Sequence, residues 1–150
     1  MNILFVCHGN ICRSVMAQMI MNALVRDNTL DGWHIDSCAT SAEEIGNDIY
    51  PPAKRCLAAH GIPFTRHAAR QITKDDYYAF DLIICMERYN IRNLRYTLGD
   101  DILAADAQRT EPKIRLLLNR DVADPWYTGD FETAFQDILS GCKQLLSLPL

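Results

Sequence analysis

Residues 2–24 read NILFVCHGNICRSVMAQMIMNAL, and this stretch decides the fold. Residues 2–6 are a short apolar run rich in Ile, Leu, Phe and Val, which predicts a buried strand. Apolar side chains then recur at the spacing of one helical face, at Met16, Met19, Ile20, Ala23 and Leu24. The stretch therefore predicts a strand, a loop over residues 7–14 and a helix.

The same alternation continues along the chain. It predicts strands at 33–37, 80–86 and 114–118, with helices at 51–60 and 131–146, the last capped by Asp130. Alternating strands and helices favour a single α/β domain over residues 1–150, with a four-stranded parallel sheet and helices on both faces, as in Rossmann-like folds. Ligands of such sheets bind at the carboxyl ends of strands, which directs attention to residues 7–14.

Composition excludes several classes of protein. The 150 residues are 49% hydrophobic and 23% charged with a net charge of −4, which is ordinary for one compact domain and argues against nucleic-acid binding by bulk charge. No apolar stretch approaches the ~20 residues of a membrane span, and residues 1–10 lack the basic start of a signal peptide. We therefore expect no nucleic-acid or membrane partner, and a monomer.

The six cysteines predict a cytoplasmic protein with reduced thiols, because no secretory signal accompanies them. They include no Cys-x-x-Cys pair, which argues against a structural zinc site.

The loop CHGNICRS, residues 7–14, carries the chemistry. Gly9 and Asn10 are residue types that readily take positive φ, as a tight loop with inward-pointing N–H groups requires. Such a loop before a helix N-terminus is an anion site, and the planar fork of Arg13 can hold two phosphate oxygens. The Cys7 thiol in that field is expected to ionise readily, with the Ser14 hydroxyl donating to the thiolate. The alternative is an ordinary buried Cys in a strand-to-helix turn; the Cys-x5-Arg spacing directly after a strand favours the functional interpretation.

Further motifs follow in order: Ser37-Cys38-Ala39-Thr40, His67-Ala68-Ala69-Arg70, residues 81–86 with Asn90, and Asp124-Pro125-Trp126-Tyr127. Together with the loop, they make nearly the whole chain resemble the low-molecular-weight protein tyrosine phosphatases, in particular their bacterial members. The resemblance implies a phosphatase-I type fold and metal-independent hydrolysis of phosphotyrosine in proteins, or of aryl phosphates, without a cofactor.

The resemblance also implies roles for particular residues. Cys7 is the nucleophile that forms a phosphocysteine, Arg13 clamps the phosphate, and Asp124 is the general acid and base. Asp-Pro taken alone is more often a plain turn. The phosphate-binding set is the loop itself: Cys7, His8, Gly9, Asn10, Ile11, Cys12, Arg13 and Ser14.

The remaining implied roles concern support and specificity. The loop is supported by Asn10, Ser14, Ser37 and His67, and the substrate ring is flanked by His8, Ile11, Trp126 and Tyr127. Ile11 stands where phosphoarginine-specific relatives tend to carry Thr, which favours phosphotyrosine over phosphoarginine. Trp126 and Tyr127 have a plainer interpretation as half-buried loop aromatics.

Cys12 has two interpretations: a small residue packed under the loop, or a partner in a reversible disulfide with Cys7 that protects the nucleophile. The chain departs from the family at Val15, where Pro is usual, and at Glu87, where we expect the change from Asp to be neutral. Residues 41–50 also lack a Trp found at the pocket rim of many relatives, and Tyr50 either fills that gap or packs at a helix start.

Two other functions use related features. Thiol-dependent arsenate reduction needs two more cysteines; Cys85 could serve, but no Cys lies between Arg88 and Gly141. A non-catalytic phosphotyrosine-binding module would have lost Cys7, Arg13 or Asp124, and all three are present.

Overall fold

The computed structural model describes residues 1–148. Its elements, in chain order, are β1 (Asn2–Cys7), α1 (Arg13–Asp27), β2 (His34–Ala39), α2 (Pro51–Ala59), α3 (Lys74–Ala79), β3 (Leu82–Cys85), α4 (Arg88–Asn93), α5 (Arg95–Leu98), α6 (Asp100–Ala107), β4 (Ile114–Leu116), α7 (Pro125–Thr128) and α8 (Phe131–Leu146). Within the described part of the chain, no helix is both long and apolar enough to cross a membrane.

The four strands form one parallel sheet in the order β2-β1-β3-β4, which confirms the predicted architecture. The strand β1 is central, and Val6 near its carboxyl end is in register with Cys38 on one side and Cys85 on the other. The chain adds strands on both sides of β1, so the carboxyl end of β1 lies at the point where strand order reverses. Ligands of open parallel sheets bind at this point.

Helices cover both faces of the sheet because successive side chains of β1 point to opposite sides. Ile3 and Phe5 pack in a core with α1, α2 and α8, whereas Leu4 and Val6 pack in a second core with α3 and α5. The strand is therefore apolar at consecutive positions, as a strand buried on both faces requires.

The five short helices α3 to α7 were not predicted. They have four to eight residues each, too few to display a helical period in the sequence. The strands β3 and β4 are shorter than the predicted 80–86 and 114–118, and β2 extends two residues beyond the predicted 37. The closing helix is confirmed, and Asp130 caps it by accepting a hydrogen bond from the Thr133 amide at 2.9 Å.

Candidate active site

The loop between β1 and α1 is held in a tight turn by Asn10. Asn10 has φ 62°, in the left-handed region that Asn tolerates better than most residues. Gly9 lies outside that region, so the prediction of a positive φ at Gly9 was wrong. A Cβ added at Gly9 would meet Glu44 Cγ at 3.4 Å, an ordinary van der Waals contact.

The side chain of Asn10 is fully buried and connects the loop to the strands around it. Its Nδ2 donates to Ser14 Oγ at 2.8 Å and to Ser37 Oγ at 2.9 Å, and its Oδ1 accepts from the Arg70 amide at 3.1 Å. The backbone carbonyl of Asn10 lies 2.7 Å from His67 Nε2. All four residues predicted to support the loop therefore belong to one hydrogen-bond network.

Cys7 lies at the base of the loop, 3% exposed. Its Sγ accepts from the Asn10 amide at 3.3 Å and lies 3.0 Å from Ser14 Oγ. A Cys7 thiol donates to Ser14 Oγ in this contact, and a sulfur without its proton would accept from the Ser14 hydroxyl instead. The Cys7 sulfur thus has the Asn10 amide as a donor and the Ser14 hydroxyl in hydrogen-bond contact.

Arg13 is the first residue of α1 and is 1% exposed, and both terminal nitrogens of its guanidinium have hydrogen-bond partners. Its Nη1 donates to the Val122 carbonyl at 2.7 Å, and its Nη2 donates to Glu87 Oε1 and Asp124 Oδ2, each at 3.2 Å. Burial opposes the charge on Arg13, but its interactions with Cys7, Glu87 and Asp124 outweigh burial and raise its pKa. A buried, permanently charged guanidinium thus lies beside the thiol.

Asp124 reaches this site from the far end of the chain, 111 residues after Arg13. It is the N-cap of α7, and its Oδ1 accepts from the Trp126 amide at 3.1 Å. Pro125 at the first helical position presets that turn. The cap leaves Oδ2 directed at Arg13, so Cys7, Arg13 and Asp124 share one pocket.

This pocket has a volume of about 610 Å³. Nine of the residues that the sequence analysis assigned to the site line this pocket: Cys7, His8, Gly9, Ile11, Cys12, Arg13, Asp124, Trp126 and Tyr127. Asn10 and Ser14, which we had also placed against the phosphate, are fully buried and support the loop from beneath.

Three acidic side chains and one aromatic ring line the pocket at positions to which the sequence analysis gave no role in the site. Glu43, Glu44 and Glu87 line it together with Tyr89. Tyr89 is 54% exposed in the first turn of α4, which follows the carboxyl end of β3. That position is the signal that could have identified Glu87 and Tyr89, because loops at strand carboxyl ends form the sites of such sheets.

The aromatic side of the pocket is built in two layers. Trp126 is 52% exposed and Tyr127 84% exposed. Tyr50 packs behind Trp126 with ring centroids 4.8 Å apart, and it also contacts the cluster of Ile11 and Cys12. Of the two interpretations of Tyr50, the structure shows packing at the start of α2, where it supports Trp126 rather than lining the pocket.

Burial raises the thiol pKa of the other buried cysteines. Cys12 is 6% exposed, and burial raises the pKa of its thiol to about 12. Burial also raises the pKa of Cys38, Cys85 and Cys142, which lie in the cores. The helix α1 forms without the Pro that is usual at position 15. Val15 is buried in its first turn, and the Met16 amide donates to the Cys12 carbonyl at 2.9 Å.

The fold and the pocket together define the class of α/β proteins that carry a Cys-x5-Arg loop between a strand and a helix. The sequence model of the family described as "Low molecular weight phosphotyrosine protein phosphatase" matches residues 2–148. The chain is 40% identical to the human protein of that name, over 97% of this chain and 93% of that one. It therefore belongs to the low molecular weight phosphotyrosine protein phosphatase family, which confirms the family and the enzyme class predicted from the sequence.

Solved structures agree with this assignment. The crystal structure of YfkJ from Bacillus subtilis has a TM-score of 0.87 and 38% identity, covering 98% of this chain and 92% of that one. The crystal structure titled DARP, drosophila arginine phosphatase, has a TM-score of 0.82 and 31% identity, covering 97% and 96%.

Proposed function

We propose that the chain hydrolyses phosphotyrosine in proteins through a phosphocysteine, with Cys7 as nucleophile, Arg13 as phosphate clamp and Asp124 as general acid and base. One observation carries the proposal: the Cys7 sulfur accepts from the Asn10 amide and contacts the Ser14 hydroxyl at 3.0 Å, in a pocket that also holds the buried Arg13 and Asp124.

In the first step the Cys7 thiolate attacks phosphorus as the bond from phosphorus to the tyrosyl oxygen breaks. The transition state of phosphoryl transfer carries charge on the three non-bridging (equatorial) oxygens of the transferred group. Arg13 and the loop N–H groups are fixed before the substrate arrives, and donors fixed in advance stabilise such charge without a cost of reorganisation. The network around Asn10 keeps them in place.

Asp124 acts on the leaving oxygen. Its Oδ2 contacts Arg13 in the free pocket, and an incoming phosphate dianion competes for that guanidinium. Asp124 enters this step as the neutral acid, having taken up a proton from solvent, and gives that proton to the tyrosyl oxygen as its bond to phosphorus breaks. In the second step the carboxylate takes a proton from a water that attacks the phosphocysteine, which releases phosphate and restores the thiolate.

The pocket wall favours an aromatic leaving group. Trp126 and Tyr89 provide two exposed rings, and the apolar Ile11 faces the same pocket from the loop. A phenyl ring packs well against such surfaces, whereas a guanidinium needs acceptors for its N–H groups. Phosphoarginine is the second candidate substrate, because a similar structure is titled an arginine phosphatase and four carboxylates line this pocket.

Arsenate reduction is less well supported. A relay of disulfides must carry oxidising equivalents to the surface, but Cys85 is fully buried in the core beneath β1 and β3. We therefore retain hydrolysis as the function of this site.

The proposal also includes the location of the protein and its oligomeric state. All six cysteines are free thiols, which supports a reducing, cytoplasmic location. Exposed large apolar side chains are scattered singly or lie at the pocket, which supports a monomer. Sedimentation of the purified chain tests the second statement; a dimer at micromolar concentration would contradict it.

The test is hydrolysis of para-nitrophenyl phosphate and of a phosphotyrosine peptide, with EDTA and reductant present. Cys7→Ser should abolish turnover, while Cys56→Ser, which changes a partly exposed thiol outside the pocket, should retain it. Asp124→Asn should lose roughly 10²–10⁴-fold in kcat/KM, which reports formation of the phosphocysteine, with the phosphotyrosine peptide. The loss should be smaller with para-nitrophenyl phosphate, whose leaving group needs less protonation.

Retained activity in Cys7→Ser would overturn the mechanism. Equal losses for both substrates in Asp124→Asn would remove Asp124 from the role of general acid. A phosphoarginine peptide run alongside decides between the two candidate substrates, and faster turnover of that peptide would overturn the choice of phosphotyrosine.

A further inference from the structure

Cys56, His60 and Glu132 form a cluster outside the pocket, where α2 meets α8. Cys56 and His60 lie one helical turn apart at the end of α2, so their side chains share one face. Glu132 lies in the first turn of α8. The thiol sulfur, an imidazole nitrogen and a carboxylate oxygen all lie within 4.8 Å of one another.

The contacts of these side chains hold them in place. His60 Nε2 lies 2.7 Å from Glu132 Oε2, and the His60 ring stacks on buried Phe135 at 3.9 Å and 10°. Gln136 Nε2 donates to Glu132 Oε1 at 3.0 Å. A hydrogen bond that orients a ligating carboxylate, as Gln136 orients Glu132, is typical of metal sites. All three residues are at least partly accessible, so an ion can enter without unfolding.

We propose that Cys56, His60 and Glu132 form a zinc-binding site with three protein ligands and water in the fourth position. Thiolate, imidazole and carboxylate are the ligands that zinc takes in proteins. On binding, the Cys56 sulfur loses its proton to solvent and bonds to the ion, and the hydrogen bond between His60 and Glu132 is replaced by two bonds to zinc.

The geometry needs two adjustments: the Cys56 sulfur, within 4.8 Å of the other two ligand atoms, must close to about 3.6 Å from them, and the other two atoms must separate. Tetrahedral bonds of about 2.0–2.3 Å to zinc place neighbouring ligand atoms roughly 3.3–3.6 Å apart. His60 Nε2 and Glu132 Oε2, now 2.7 Å apart, must therefore separate by about 0.6 Å. The Glu132 side chain is 60% exposed, so it can rotate outward by that amount.

Zinc bound at this site would link α2 to α8, two helices that pack next to the aromatic side of the pocket. Tyr50, directly before α2, packs on Trp126 and on Phe131, the first residue of α8. An ion bound to both helices would restrain this contact. The site does not depend on the proposed catalytic roles, because none of its three ligands lines the pocket. The absence of a Cys-x-x-Cys pair does not bear on it, since its ligands come from two helices.

The test uses Zn²⁺ and the spectroscopic probe Co²⁺ on the full chain carrying Cys7→Ser, so that the pocket thiol does not compete. One equivalent of Co²⁺ should produce a thiolate-to-cobalt charge-transfer band that Zn²⁺ displaces. A hundredfold excess of Zn²⁺ over its Kd should raise Tm by about 5–10 °C.

Cys56→Ser should abolish the charge-transfer band, and His60→Gln and Glu132→Gln should each weaken Zn²⁺ binding at least about tenfold. His34→Gln, at a histidine outside the cluster, should bind as the parent does. Thermal unfolding without metal shows whether each variant is folded, and Glu132→Gln, an isosteric change at an exposed residue, keeps the test valid if the others unfold. A band that persists in Cys56→Ser, or equal Zn²⁺ affinity in Glu132→Gln and the parent, would overturn the proposal.

Discussion

Asn10 is the residue through which the fold is expected to control the nucleophile, and two substitutions separate its two contributions. Asn10→Ala removes the donors to Ser14 and Ser37 and the acceptor of the Arg70 amide. It also places a residue with a Cβ but no polar group at φ 62°. Asn10→Gly removes the same hydrogen bonds but tolerates that φ without strain.

The magnitudes follow from these contacts. Two lost hydrogen bonds cost about 0.5–1.5 kcal/mol each, and an amide left without an acceptor about 1–3 kcal/mol. Asn10→Gly should therefore lower the free energy of unfolding by about 3 kcal/mol. Asn10→Ala should lower it by about 4 kcal/mol, because the left-handed conformation costs Ala an additional 1–2 kcal/mol, partly offset by the greater entropy of Gly in the unfolded chain.

Urea unfolding measures the stability, and hydrolysis of para-nitrophenyl phosphate measures the effect on the site. We expect kcat to fall roughly 10–100-fold in both variants, because the Ser14 hydroxyl is no longer held against the Cys7 sulfur. Asn22→Ala, an exposed Asn in α1, is the control and should stay within about 0.5 kcal/mol of the parent. If Asn10→Gly is less stable than Asn10→Ala, or both behave as the control does, the reasoning is refuted.

Three further predictions concern other parts of the molecule. Gly141→Ala should lower Tm by about 2–4 °C, because the new Cβ would clash with the Leu117 side chain. The overpacking costs about 1–3 kcal/mol, more than the ~1 kcal/mol that Ala gains over Gly in a helix. A raised Tm by calorimetry would contradict this. Burial opposes the charge on the Asp76 carboxylate, but hydrogen bonds from Arg70 outweigh burial and lower the pKa of Asp76. These hydrogen bonds therefore stabilise the folded protein fully above the pKa that Asp76 has in the unfolded chain. The stabilisation is lost as pH falls through the pKa of Asp76 in the folded protein. Asp76→Asn should thus cost about 2 kcal/mol at pH 7 by urea unfolding and progressively less below about pH 4, whereas a pH-independent difference would exclude this cause. Trp126→Ala should raise KM for a phosphotyrosine peptide about tenfold at nearly unchanged Tm. Tyr127→Ala, which removes a ring that is 84% exposed, should raise KM less. Equal increases in KM would argue against specific packing of the substrate ring on Trp126.

The predicted parts of the fold are those with a long or strongly apolar signal. The strand β1, the long helices α1 and α8, and the parallel sheet follow from apolar runs and a sustained 3.6-residue period. The short helices do not, since α7 has four residues and its helical turn depends on the cap by Asp124 and on Pro125. The conformation of Gly9 was predicted from residue type alone, but its neighbour Asn10 takes the positive φ instead.

The sequence by itself determined the alternation of strands and helices, and hence the place of the loop, because local periodicity and residue type are properties of neighbouring positions. It also placed Cys7 and Arg13 together, since six positions of one tight loop cannot separate them far. Only the tertiary structure decided that Asp124 and Glu87 meet Arg13, and that Glu132 meets Cys56 and His60. These contacts join residues far apart in the chain, and their distances depend on how helices pack on both faces of the sheet.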